Sequence, residues 1–218
     1  MRCISAVMLG VVIAVTPQAA RAKSESFAKV DVQSVGGGFM FLAPVLGQRY
    51  DVWISQVATD GKPGRTIRLR VSGDKATLDP HSGMALKIAA AQPGQYVVRM
   101  ILMQEHWGAC LAQRTVGFTV QPGQIAYLGA LQISQTIQSL ESEVMRTGKG
   151  RALRSQLRMF RDNLSPPAFS FDAAPLESQI LETARSNGLG SSFPVNAIVS
   201  SPTSFPSPAG SDLVGYCD

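Results

Sequence analysis

One short segment of the sequence gathers a carboxylate, a histidine and a cysteine, in Glu105, His106 and Cys110. A His-x₃-Cys spacing can supply two metal ligands, and Asp79 with His81 could complete a site. This set defines one hypothesis for function, a metal-assisted hydrolase that uses His81 and His106. We favour a simpler interpretation, a loop histidine beside a disulfide, because it does not require both histidines of the chain to converge on folding.

Recognisable catalytic motifs are missing from the sequence. It contains no G-x-S-x-G nucleophile elbow, no H-E-x-x-H, no C-x-x-C and no phosphate-binding P-loop. Two histidines also leave little material for a Ser–His–Asp triad. We therefore predict a chain that is not an enzyme, that needs no cofactor or resident metal, and that has a structural or interaction role.

A group of arginines in the carboxy-terminal third has the spacing of one helix face: Arg151, Arg154, Arg158 and Arg161. They accompany an apolar stripe at helical spacing, formed by Leu153, Leu157, Phe160 and Leu164. The pattern predicts a basic helix over 151–164. Such a helix could bind anionic lipid head groups or another envelope protein. The alternative is a solvated outer face of a helix that docks on the rest of the fold.

The first 22 residues have the organisation of a secretory signal peptide. Arg2 supplies an early positive charge, residues 3–15 are almost uninterrupted apolar sequence, and Ala20 and Ala22 provide small residues at a cleavage site. Thirteen apolar residues are too few to span a bilayer, and no other apolar run approaches the roughly 20 residues that a membrane helix needs. We expect cleavage after Ala22, export to the periplasm or the cell exterior, and no transmembrane helix in the mature chain.

Removal of this segment changes the charge and the cysteine count. Two arginines leave and no acid does, so the net charge of +5 falls to +3, too weak to indicate nucleic acid as a partner. Cys110 and Cys217 remain of three cysteines. In an oxidising compartment such a pair favours a disulfide, which for a loop of this length contributes about 4–5 kcal/mol by loop entropy. A free thiol or a metal ligand is the alternative.

Alternating apolar residues predict a sheet protein over 23–133. In 65–71 the apolar side chains take one face and the polar ones the other, and 114–120 repeats the pattern. Residues 96–103 are apolar on both faces apart from Arg99, which is typical of a central strand. Weaker strand candidates are 29–35, 39–42, 50–57 and 84–89. Short strands at this spacing without intervening helices indicate an antiparallel β-sandwich, so the fold class is mainly β.

The turns of this region repeat. The tetrapeptide Gln-Pro-Gly-Gln occurs at 92–95 and at 121–124, each time between strand candidates. Proline and glycine at the two central positions predict type II turns. Two successive strand–turn–strand hairpins are therefore expected, 84–104 and 114–133. The triple glycine at 36–38 predicts a hinge or a tight turn.

The two Pro-Gly repeats and the residues around them also resemble a known group of proteins. The stretch 92–98, then Cys110, then 118–129 resembles uncharacterised exported bacterial proteins that contain a prealbumin-like or carboxypeptidase-regulatory-like β-sandwich. In those proteins a Pro-Gly-tyrosine strand precedes a Pro-Gly-x-x-tyrosine-leucine-glycine strand. The resemblance implies a prealbumin-like or Ig-like sandwich and assigns no catalytic residue. It does not extend to residues 23–83.

After residue 133 the period becomes helical. Residues 134–189 are predicted to form a short α-helical extension, in which Gly148 ends the first helix and Pro175 and Gly188 bound the last. The first helix carries the apolar stripe Ile133, Ile137, Leu140 and Val144. Residues 190–218 form a tail, rich in serine and proline, that ends near Cys217 and is expected to be a linker or an extended, mobile strip.

Overall fold

The computed structural model describes residues 32–59, 61, 63–72, 77–79, 83–104, 106–111, 114–148, 157–171, 178, 182, 193–204 and 217. These residues include two β-sheets and two continuous helices. The helices are α1 (Val32–Val35) and α2 (Ser134–Arg146). Sheet A contains β1 (Gly38–Pro44), β4 (Thr77–Asp79), β5 (Met84–Ala90), β9 (Ile125–Gln132), β11 (Ala168–Ser170) and β12 (Val195–Ala197). Sheet B contains β2 (Tyr50–Val57), β3 (Pro63–Val71), β6 (Gly94–Met103), β7 (Trp107–Cys110), β8 (Thr115–Val120), β10 (Arg158–Phe160) and β13 (Ser201–Thr203).

The strand order places β6 at the centre of sheet B, as predicted for 96–103. One side of β6 pairs with β2, and the other pairs with β8 along its first half and with β7 along its second half. In sheet A the order is β4-β5-β1-β9, with β11 and β12 both beyond β9. Most pairings are antiparallel, but β1–β9, β12–β9 and β10–β7 are parallel. The mainly β class is confirmed, in a sandwich whose sheets are mixed.

An aromatic cluster holds the two sheets face to face. Phe39 of sheet A lies edge-on against Phe118 of sheet B, with ring centroids 5.2 Å apart, and Phe118 stacks on Tyr96 at 5.7 Å. Phe41 and Phe169 form a further edge-to-face pair at 5.5 Å. Such pairs add about 0.5–1.5 kcal/mol each beyond the burial of their area. The inward residues predicted from alternation in β8 belong to this core: Val116, Phe118 and Val120.

Both Pro-Gly turns connect one sheet to the other. The first leads from β5 in sheet A to β6 in sheet B, and the second leads from β8 in sheet B to β9 in sheet A. Gly123 has the positive φ, +68°, that a type II turn requires. The turn chemistry was therefore predicted correctly at Gly123, but the prediction of two hairpins is wrong. The residues of a turn do not determine whether the two flanking strands pair with each other or lie in opposite sheets.

The triple glycine runs between these two connections. Ala91 N donates to Gly37 O at 3.0 Å, and Gly38 N donates to Gln124 O at 3.1 Å. A Cβ on Gly37 would lie 3.0 Å from Val120 Cγ1 and 3.1 Å from Ala91 O. The segment is therefore closely packed rather than a hinge, and a side chain at Gly37 would require its neighbours to shift by a few tenths of an ångström.

Several local predictions are wrong. Residues 32–35 form a helical turn instead of part of a strand. Arg158–Phe160 form β10, so the predicted basic helix over 151–164 is not continuous. Sheet pairing outweighs the helical spacing there, because β10 supplies backbone hydrogen bonds to β7. The predicted last helix, 175–188, lies outside the described residues except for Ser178 and Glu182, which are helical.

The serine- and proline-rich strip is also built into the fold. Within 193–204, β12 pairs with β9 of sheet A and β13 pairs with β8 of sheet B. Pro202 is tolerated because β13 is a terminal strand, which pairs with β8 alone in the described part of the chain. The sandwich therefore does not end at residue 133, since four strands from the carboxy-terminal third complete its sheets.

Gly129 provides a test of the packing between β9 and β11. Its φ is +78°, and a Cβ there would overlap the carbonyl oxygen of Ser170. Gly83 also has a positive φ, +62°, but no atom lies within 4 Å of its Cβ position. We expect Gly83→Ala to cost about 1–2 kcal/mol of unfolding free energy from backbone strain alone. Gly129→Ala should cost about 1–3 kcal/mol more, because of the added overlap.

Guanidinium denaturation of both variants measures this difference. Equal unfolding free energies for the two variants would show that β11 does not pack on β9 as described.

Candidate functional site

The disulfide predicted from the cysteine count is present. Cys110 at the end of β7 bonds to Cys217, with Cα atoms 5.3 Å apart and both residues buried. The bond closes a loop of 107 residues. It attaches the end of the chain to the outer face of sheet B, where Met100, Leu102 and the partly buried Met159 surround it.

Arg99, the one charged residue in the central strand, reinforces this attachment. The pairing of β2 with β6 shifts register around Arg99, because Trp53 and Ile54 are paired with Met100 and Val98. The Nε and Nη2 atoms of Arg99 donate to the carbonyl oxygen of Cys217 at 3.3 and 3.1 Å. The bulge therefore gives a buried arginine a carbonyl partner at the disulfide.

The predicted metal ligands do not form a site among the described residues. Cys110 is consumed by the disulfide and offers no thiolate. His106 precedes β7 in sheet B, and its ring lies against Trp107 with centroids 6.1 Å apart. Asp79 ends β4 in sheet A, and His81 lies outside the described residues. Within the described ranges no three His, Cys, Asp or Glu residues cluster as metal ligands would, and the hydrolase hypothesis stays a prediction.

Of the four arginines of the predicted basic face, the structure describes two, Arg158 and Arg161. Arg151 and Arg154 lie outside the described residues, and Arg158 pairs with Trp107 in the β10–β7 ladder. Arg161 is exposed and lines a polar cavity of about 390 Å³ together with Arg114. Since Arg158 lies in a strand, Arg158 and Arg161 do not share a helix face.

A charged cluster that the sequence analysis missed lies on the outer face of sheet B. Asp51 in β2 is almost fully buried, at 1% exposure. Arg68 Nε donates to Asp51 Oδ2 at 2.9 Å, and Arg70 Nε donates to Oδ1 at 3.2 Å. The Arg68 guanidinium also lies over the Trp53 ring, 5.7 Å from its centroid. Alternation placed both arginines outward, but only the β2–β3 register places Asp51 between them.

The strand that carries these arginines is the long terminal strand of sheet B. Among the described residues β3 pairs with β2 alone, so every second residue of its nine directs backbone N–H and C=O groups away from the sheet. The other terminal strands, β4 and β10 to β13, are three residues long. We call the outward side of β3, residues 63–71, the β3 edge.

Helix α2 covers the opposite region of the sandwich, next to β7. Its predicted stripe is confirmed, since Ile133, Ile137, Leu140 and Val144 belong to the core. Gly148 follows its end with φ +63°, as predicted for a helix stop. Ser165 N donates to Ser139 Oγ at 2.9 Å, which attaches the segment after β10 to the helix.

A carboxylate completes this attachment. Arg146 Nη2 donates to Glu143 Oε2 at 2.6 Å, and Asn163 Nδ2 donates to Glu143 Oε1 at 3.0 Å. These hydrogen bonds, that of Arg146 first, hold the pKa of Glu143 below its ordinary value of 4.5. The ionised carboxylate therefore helps to position α2 against the segment that follows β10.

No family model matches the chain, and no curated protein or solved structure matches it either. The resemblance to exported proteins with a prealbumin-like sandwich therefore stays a prediction. Within the described parts of the chain, no helix has the length and apolar character to cross a membrane.

The lowered pKa of Glu143 predicts a pH dependence of stability. Its contribution is present above pH 4.5, where the carboxyl is ionised in both the folded and the unfolded chain, and is lost as the pH falls through the lower folded pKa. We expect Glu143→Gln to lower the unfolding free energy at pH 7 and to have little effect at pH 2–3. Urea denaturation at both pH values measures this.

Glu141→Gln is the matched control, because Glu141 is exposed on the same helix and no hydrogen bond or ion pair links it to another described residue. A Glu143→Gln effect of the same size at both pH values would show that the carboxylate does not act through its charge.

Proposed function

We propose that this chain is an exported, non-catalytic interaction module of the cell envelope, which binds an extended segment of a partner protein along the β3 edge. The observation that carries the proposal is the length of β3. It is a nine-residue terminal strand in a sandwich whose other described terminal strands have three residues each. A long strand edge with unpaired backbone groups is a template for strand addition, and most proteins block such edges.

The chemistry of the edge indicates which segments would fit. Strand addition satisfies backbone groups of both partners, and side chains of the added strand supply specificity. β3 carries three arginines, at positions 65, 68 and 70, and no acidic residue, and Arg68 and Arg70 share the buried Asp51 of β2. An added strand with acidic side chains would complement this charge, whereas a basic strand would be repelled.

Export and location in the envelope are supported by the sequence and by the disulfide. The first 22 residues have the pattern of a secretory signal. The Cys110–Cys217 bond belongs to a class of bond that persists in oxidising compartments and is rare in the cytosol. Both observations favour the periplasm or the cell exterior.

Site-specific photocrosslinking in living cells tests the proposal. A photoreactive phenylalanine replaces Arg65, which is exposed on the β3 edge. We expect a discrete adduct with an envelope protein. Mass spectrometry should locate the attachment in an extended acidic segment of the partner, because the backbones of added strands lie about 4.8 Å apart.

The same photoreactive residue at Gln135 is the control, since Gln135 is exposed on α2 in the opposite region. Three outcomes would contradict binding by strand addition. They are the absence of an adduct at position 65, equal adducts at positions 65 and 135, and attachment within a helix of the partner.

A further inference from the structure

A second recognition feature lies where β7 and β10 end, across sheet B from the β3 edge. These two strands are parallel, so their carboxyl ends meet at the same edge of the sheet. Arg161 directly follows β10. Arg114 precedes β8, and its backbone N–H donates at 3.1 Å to the carbonyl oxygen of Leu111, the residue that follows β7. Strand pairing and this turn therefore bring both arginines to one cavity of about 390 Å³.

The described lining of this cavity is positively charged. It contains the two guanidinium groups of Arg114 and Arg161 and no carboxylate. Both arginines are exposed, and neither side chain forms a hydrogen bond or an ion pair with another described residue. The carboxylate of the neighbouring Glu143 is already bound by Arg146 and Asn163. An anion that enters the cavity therefore meets two arginines that the described residues leave available.

The cavity is built on fixed elements. Part of its lining consists of three buried residues, Cys110, Leu111 and Leu164. Asn163 has a φ of +57°, a left-handed conformation that is uncommon for residues other than glycine. Asn163 Nδ2 and Ser165 N donate to side chains of α2 at 3.0 and 2.9 Å. The segment that carries Arg161 is thus positioned before a ligand binds, which lowers the entropy cost of binding.

Two guanidinium groups favour a phosphoryl group over a single carboxylate. One arginine can occupy both oxygens of a carboxylate through its parallel N–H groups. A phosphate monoester offers three acceptor oxygens and a charge close to −2, so two arginines can share it. The charge of the cavity therefore indicates a phosphate monoester.

The other lining residues indicate the body of the ligand. Asn163 Oδ1 can accept a hydrogen bond and Ser165 Oγ can donate or accept one, and neither atom has a partner among the described residues. The described lining contains no aromatic ring on which a nucleobase could stack. A water molecule accounts for about 30 Å³ of liquid, so the volume corresponds to roughly 13 non-hydrogen atoms. These features suit a small body with hydroxyl groups.

We propose that this cavity binds the phosphate monoester of a small polyol. Arg114 and Arg161 bind the phosphoryl oxygens, and Asn163 and Ser165 form hydrogen bonds with the hydroxyl groups. The site is separate from the β3 edge, so it does not depend on the function proposed above.

Glycerol 3-phosphate, which is smaller than this limit, is a suitable probe for calorimetric titration of the oxidised chain in a low-salt buffer without phosphate. We expect saturable binding of one molecule per chain. Arg114→Gln and Arg161→Gln should each weaken it by at least about tenfold, as expected for the loss of a charge-assisted hydrogen bond. Arg65→Gln is the matched control, because it removes the same charge from an exposed position on β3 and should leave the affinity unchanged.

A second variant tests the hydroxyl contacts. Ser165→Ala removes the side-chain hydroxyl but keeps the backbone N–H that donates to Ser139. It should weaken glycerol 3-phosphate binding by about fivefold, as expected for one neutral hydrogen bond, and leave the weaker binding of inorganic phosphate unchanged.

An absence of saturable binding would overturn the proposal. So would an equal loss of affinity in Arg65→Gln, which would indicate attraction by net charge alone, or succinate binding as tightly as glycerol 3-phosphate. Binding that appears only in an Asp218→Asn variant would also overturn it, since the carboxylate that follows Cys217 in the sequence would then fill the cavity.

Discussion

Unpaired strand edges are the constraint around which this sandwich is arranged. A terminal strand exposes a row of backbone N–H and C=O groups, and a long terminal strand is a template for another chain. Here the carboxy-terminal third supplies four short strands, which cover β7, β8 and β9 on one side of the sandwich. On the opposite side, the nine-residue β3 is the terminal strand of sheet B among the residues that the structure describes. The two sides of the sandwich therefore differ, and its long edge is where we propose that a partner strand adds.

The disulfide belongs to the same arrangement. Three-residue strands contribute few hydrogen bonds each, so the segments that close the sandwich need other attachments. Cys217 is bonded to Cys110, and Arg99 donates to its carbonyl oxygen, both on the outer face of sheet B. The loop-entropy contribution of about 4–5 kcal/mol is a large part of the net stability of an ordinary domain. An oxidising compartment, in which this disulfide persists, would therefore stabilise the side of the sandwich that the carboxy-terminal strands cover.

Sequence reasoning predicted what depends on local pattern. Alternation placed β3 and β8 correctly, a run that is apolar on both faces placed β6, helical spacing placed α2, and the cysteine pair predicted the disulfide. Sequence reasoning failed where the structure depends on pairing between segments that are distant in the chain. Phe160 has helical spacing but lies in a strand, because β7 offers backbone partners, and the Pro-Gly turns lead between sheets. The burial of Asp51 depends on a register between two strands, and the cavity lined by Arg114 and Arg161 depends on the pairing of β10 with β7. Neither has a local signal.

Amide hydrogen exchange of the free, oxidised protein tests the central claim most directly, because exchange reports which backbone N–H groups lack a partner. The account predicts that every second amide of β3 exchanges rapidly. The amides of β9, which lies between β1 on one side and β11 and β12 on the other, should be protected along its length. Uniform protection along β3, equal to that of β9, would mean that the edge is already paired and would contradict the account.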